Sequence, residues 1–213
     1  MGTSSLLDTI GSFLVFGLLF LIVIRLNQSA HENSDAYSAD YMLQRNMATL
    51  TVMLEQDLKR VGLNSNATLT GIPPIQVAKA DTFQFLTDLS GSTTPGAVAA
   101  DIVQWRVGKP SEIPETANPN DCYVYRTVNG VESRMNLGVT QFSFRYYDIM
   151  DPTNTLAFPI ANLGNIGPID VTLKLESPYQ AKQDYMMDTS NYVMLWRQIR
   201  SISRNSILQT SAR

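Results

Sequence analysis

Residues 13–24 read FLVFGLLFLIVI, from Phe13 to Ile24, with no polar side chain. Extending the run to Leu6 and Leu26 gives roughly 21 residues, and a helix that spans a bilayer needs about 20 at ~1.5 Å each. Only Asp8, Thr9 and Ser12 interrupt it. A helix that is apolar on every face has no wet side, so it is no surface helix of a water-soluble domain. A cleaved signal peptide and a buried core helix are the rival readings. A signal peptide needs a basic start and a small-residue cleavage site. No Lys or Arg precedes the run, and Arg25-Leu26-Asn27-Gln28 follows it, so the expectation is an uncleaved single-pass anchor. Arg25 is the one flanking cation that bears on orientation, and it argues weakly for a cytoplasmic C-terminal side.

Beyond the anchor, residues 27–35 (NQSAHENSD) are polar, and then a helical period begins. Tyr37, Tyr41, Leu43, Met47, Leu50, Leu54, Leu58 and Val61 recur mostly three or four apart, which predicts one apolar stripe against a globular body. Glu55 and Lys59 stand at i and i+4, a supporting pair. Gly62 is a good stop. The organisation expected is therefore a transmembrane half-helix over 1–27, an amphipathic continuation over 28–62, and a β-rich domain over 63–213.

That last part alternates. Residues 82–86, 102–107, 122–128 and 139–147 read as strands, and Asn129-Gly130 is a strong hairpin turn. Residues 169–176 (IDVTLKLE) set Ile169, Val171, Leu173 and Leu175 on one face and polar residues on the other, the pattern of an antiparallel sheet with one wet face. Residues 193–202 fit a strand or a helix, with strand favoured. Helices do not alternate with strands, so the class is α+β.

Composition closes off several functions. The chain has 213 residues, 44% hydrophobic and 16% charged, with net charge -3. Such a chain is not intrinsically disordered. It has no global basic field for nucleic acid. The lone Cys122 excludes an intramolecular disulfide, and the lone His31 removes most imidazole chemistry. No phosphate loop, dinucleotide glycine motif or nucleophile elbow occurs. No cofactor, small-molecule substrate or enzymatic role is expected.

The order of these pieces resembles type IV pilins and the pseudopilins of type II secretion. Residues 54–63 (LEQDLKRVGL) are similar to the end of the long helix in minor pilins of the PilW type and J-type pseudopilins. Residues 123–130 (YVYRTVNG) resemble their hairpin, 138–148 (GVTQFSFRYYD) their aromatic strand, 169–176 the strand after it, and Arg204-Asn205 their closing pair. At the start the chain diverges: no basic leader is recognisable, and Gly2 is followed by Thr3. The resemblance implies a pilin-like fold in the bacterial inner membrane with a periplasmic or extracellular C-terminal domain. It also implies a structural subunit of a filament or of a secretion or envelope complex. Its partners would be membrane lipid and other copies or related subunits. The alternative is a tethered module that docks a partner or ligand through its β-domain.

Candidate residues follow from these readings. Asp8, Gly11, Phe13, Phe16, Gly17, Phe20 and Arg25 are expected to carry membrane insertion and helix packing. The two glycines would admit close approach. Asp8 would act as a helix N-cap, a headgroup-level residue or a partner for a neighbour's cation. Asp148, Asp151 and Asn154 are a weak calcium candidate, and paired carboxylates such as Asp148 and Asp151 could in principle serve as acid and base. Asp184, Asp188 and Asn191 are weaker still. Cys122 reads as a small buried residue and His31 as a surface one. Trp105, Trp196 and the tyrosines 146, 147, 179, 185 and 192 are core or partner contacts. Arg197, Arg200, Arg204 and Arg213 are a solvated basic face or a dock for an acidic neighbour. Asn27-Gln28-Ser29 and Asn66-Ala67-Thr68 match the glycosylation pattern, which short sequences often do by chance.

Overall fold

The computed structural model describes residues 3–63, 73–89, 101–182 and 190–202. One helix, α1 (Thr3–Lys59), is followed by seven strands: β1 (Ile75–Ala78), β2 (Thr82–Thr87), β3 (Asp101–Val107), β4 (Cys122–Val128), β5 (Val131–Asp148), β6 (Ile166–Lys182) and β7 (Ser190–Ile202). Short 3-10 turns lie at Pro110–Glu112 and Leu163–Asn165. The strands form one antiparallel sheet in chain order, each paired with the next, so the fold is α+β. The segment at 193–202 is a strand, as its β-branched and aromatic content favours.

The chain divides into two compact units, Met1–Met42 and Leu43–Arg213. The first is helix alone. In the second, Leu43, Met47, Leu50, Leu54, Leu58 and Val61 are buried in one cluster. The inward faces of the strands complete it with Phe83, Phe85, Val103, Trp105, Val124, Phe142, Phe144, Tyr146, Val171, Leu173 and Leu175. Phe83 meets Phe85 and Phe144 at ring distances of 5.3 and 5.4 Å. Each such side chain contributes about 1.5–3 kcal/mol by leaving water.

Two members of the expected stripe do not belong to it. Tyr37 and Tyr41 are 77% and 69% exposed. Tyr41 to Leu43 is a step of two residues, about 200° around a helix, which moves from one side to the other. The stripe therefore begins at Leu43.

Local chemistry ends the elements where expected. Gly62 has φ 69, the left-handed conformation that terminates a helix, and its N–H donates to the Leu86 carbonyl at 2.9 Å. Asn129 and Gly130 have φ 51 and 83, the two positive values of the tight turn between β4 and β5. The sheet curls. The Phe144 N–H donates to the Ala80 carbonyl at 2.8 Å, and the Tyr146 hydroxyl to the Lys79 carbonyl at 3.0 Å, so β5 reaches the turn between β1 and β2.

Candidate functional site

The anchor segment of α1 offers a surface rather than a cavity. The helix over Leu6–Lys59 is long and apolar enough to cross a membrane, and none of its 18-residue apolar window is buried within the structure. Phe13, Phe16, Gly17 and Phe20 stand at i, i+3, i+4 and i+7, so they share one face. The rings of Phe16 and Phe20 stack there at 6.3 Å. Nothing lies within 4 Å of where a Cβ on Gly17 would sit. Gly11 is equally open but lies on another side, because six residues is about 240° past a whole turn. It joins Asp8 and Ser12 instead, at i, i+3 and i+4.

Asp8 lies inside the helix, which begins by Thr3, so it is not the N-cap. The Ser12 hydroxyl donates back to the Asp8 carbonyl at 2.8 Å, which satisfies Ser12 within the helix. Arg25 and His31 are exposed on α1. The anchor face therefore carries an aromatic ridge with one gap at Gly17, and a separate small polar notch at Asp8, Gly11 and Ser12.

In the second unit the titratable groups pair within the fold. Asp57 is 4% exposed on α1. Arg126 on β4 grips it with Nε to Oδ2 at 2.7 Å and Nη2 to Oδ1 at 3.0 Å, and the Trp105 indole N–H on β3 donates to Oδ2 at 2.8 Å. The pairing raises the Arg126 pKa further. This cluster fastens the last turns of the helix to the sheet. Sequence reading missed it, although Asp57 inside an apolar stripe next to Leu58 was a visible signal.

The outward face of β6 is not uniformly wet, contrary to the expectation from its alternation. Asp170 is 2% exposed. Tyr147, Gln198 and Arg200 donate to it, with Arg200 Nε at 2.6 Å, and the Arg200 guanidinium also lies over the Tyr147 ring at 4.4 Å. Burial pushes the Asp170 carboxyl up, but the hydrogen bonds from Arg200, Tyr147 and Gln198 outweigh it and hold the pKa below the ordinary carboxylate range. Glu176 is buried as well. Lys174 Nζ lies 2.6 Å from one of its oxygens, and Asn118 donates to the other at 3.0 Å. Asp121 lies beside that pair, buried, and its Oδ1 has no hydrogen-bond partner. Burial pushes the Asp121 carboxyl up to about 6, opposed by a hydrogen bond from Thr116 and reinforced by the Glu176 charge.

The calcium candidate is a pair of self-closed turns. Asp148 Oδ1 accepts the Met150 N–H at 2.7 Å, and Asp151 Oδ1 accepts the Thr153 N–H and hydroxyl. Asn154 contributes its backbone, donating to the Asp151 carbonyl and accepting from the Asp148 N–H, both at 3.0 Å. Among the described residues no three His, Cys, Asp or Glu side chains gather as metal ligands. Cys122 is buried. Arg197 lies 3.7 Å from Glu55. The side chains of Asp184, Asp188, Asn191, Tyr179, Tyr185, Arg204, Arg213 and the 66–68 glycosylation pattern lie outside the described residues. Trp105, Tyr146 and Tyr147 are core members, whereas Trp196 is 62% exposed.

No protein-family model, curated protein or solved structure matches the chain.

Proposed function

We propose that the chain is a membrane-anchored structural subunit of a pilus- or pseudopilus-like filament, or of a secretion or envelope complex, that assembles through its N-terminal helix. The observation that carries this reading is the unburied 18-residue apolar window within the same helix that supplies Leu43, Met47, Leu50, Leu54 and Leu58 to the core. Exposed Phe13, Phe16 and Phe20 are unfavourable in water and need lipid or other helices around them. The polar residues of the β-domain are largely engaged with one another in structural pairs. That disposition suits a scaffold more than a reaction centre. The resemblance of the helix end, hairpin and aromatic strand to minor pilins and J-type pseudopilins supplies the class of assembly.

Within such an assembly the gap at Gly17 admits a neighbour's side chain, and the Asp8–Gly11 notch brings a neighbour's cation to a carboxylate. Electron microscopy of protein from native membranes and from surface-shear fractions, with its intact mass, tests the reading. Filaments, or particles of fixed size holding several pilin-like chains, are expected. Recovery of the full-length chain only as an isolated, fully soluble monomer would contradict it.

A further inference from the structure

The sheet has two edges, and they differ. β1 is four residues long and carries an irregularity in its pairing between Ile75 and Val77. Short, irregular edges resist pairing with other chains. β7 runs for 13 residues, from Ser190 to Ile202, with no Pro, Gly, Lys or acid in it. Its register with β6 has no irregularity from Glu176 opposite Met194 to Pro168 opposite Ile202. Among the described residues no strand pairs with its other side.

The outward side chains of this strand are Met194, Trp196, Gln198, Arg200 and Ile202, on the face shared with Asp170 and Glu176. Met194, Trp196 and Ile202 are each more than half exposed. The two cations, Arg197 and Arg200, already have acids on their own chain, Glu55 and Asp170. The usual charge defence of an edge is therefore spent. The Val193 N–H turns toward β6, where it donates to Ser177 Oγ at 3.2 Å. By the alternation of a strand, the even-numbered residues from Tyr192 to Ile202 present their N–H and C=O groups to the open edge.

We propose that β7 pairs antiparallel with the β7 of a second copy of this chain, about a two-fold axis at Gln198. That register sets Met194 against the partner's Ile202, Trp196 against the partner's Arg200 and Gln198 against its own copy. Every exposed outward residue from 194 to 202 then gains a matched neighbour: apolar with apolar, indole with guanidinium, amide with amide. Registers centred on Arg197 or Arg200 would set each arginine against itself, which is repulsive. A two-fold pair of this kind is closed and self-complementary. The inference stands on the edge alone and is independent of the filament reading.

The test is dipolar spectroscopy on the full-length protein in nanodiscs, by continuous-wave line broadening for short distances and by pulsed methods for long ones, with single spin labels in a Cys122→Ser background. Labels at Gln198 are expected close together, with Cα atoms about 5.5 Å apart. Labels at Tyr192 fall twelve residues apart across the axis, about 40 Å. Met194→Pro removes an edge N–H and leaves the backbone bonds to β6 in place, and Trp196→Lys sets like charges together, each in the chain labelled at Gln198. Both are expected to abolish the short distance while the thermal transition of the domain persists. No short distance at Gln198, a short distance at Tyr192, or a Gln198 distance unmoved by both variants overturns the pairing.

Discussion

Asp57, Asp121 and Asp170 are three aspartates with three fates, each set by what surrounds the carboxylate. Asp57 is buried, yet the Arg126 fork and the Trp105 indole satisfy it. Removing one member of such a pair typically costs about 3–5 kcal/mol, because its partner is left buried and unpaired. Asp170 is held by Arg200, Tyr147 and Gln198, so its charge is supported at any pH above the ordinary carboxylate range. Asp121 has an orphaned oxygen and an anionic neighbour, so its folded-state pKa lies near 6, above the ordinary 3.8. A raised carboxyl favours the folded state fully below about pH 4 and loses that contribution as pH rises through about 6. Asp121→Asn has no proton to lose. The variant should therefore match wild type in Tm near pH 4 and exceed it at pH 7, with the gap opening between. Melting curves at pH 4, 5, 6 and 7 check this; a gap that is constant or closes with rising pH contradicts the assignment.

Among the elements, α1 shows how much of the fold is legible in sequence and where legibility stops. Leu43, Met47, Leu50, Leu54, Leu58 and Val61 keep the helical period, and those residues are buried. Leu54→Ala should cost about 2–5 kcal/mol by leaving a cavity, whereas Tyr41→Ala should stay within about 0.5 kcal/mol, as exposed substitutions do. Chemical denaturation of the two variants separates them, and equal losses would mean that the stripe begins earlier than Leu43. Tyr37 and Tyr41 fit the helical spacing but not its phase, which turns them away from the core. The hairpin at Asn129-Gly130 and the alternation of 169–176 were readable because turn chemistry and side-chain period are local. The burial of Asp170 and Glu176 was not, since it depends on Tyr147, Arg200 and Asn118, distant in sequence. Gly138 was equally silent. It has φ 73, and a Cβ there would come 2.7 Å from the Glu176 carbonyl oxygen, a close approach only the paired strands reveal.

For the whole molecule, the candidate sites divide by how they arise. The anchor face was legible because a membrane requires it in consecutive residues. The β7 edge was not, because an edge is defined by which strand lacks a neighbour. The Asp8–Gly11 and Phe13–Gly17–Phe20 faces are distinct, so in the proposed assembly the anchor would meet neighbouring helices on two different surfaces. Cysteine scanning across residues 13–20 of the full-length chain, in a Cys122→Ser background and in native membranes, tests the central claim most directly. Oxidative cross-linking should recur with a period of about 3.6 residues, strong at positions 13, 16, 17 and 20 and weak at 14, 15, 18 and 19. Cross-linking that is absent or equal at every position would contradict an anchor that packs against its neighbours.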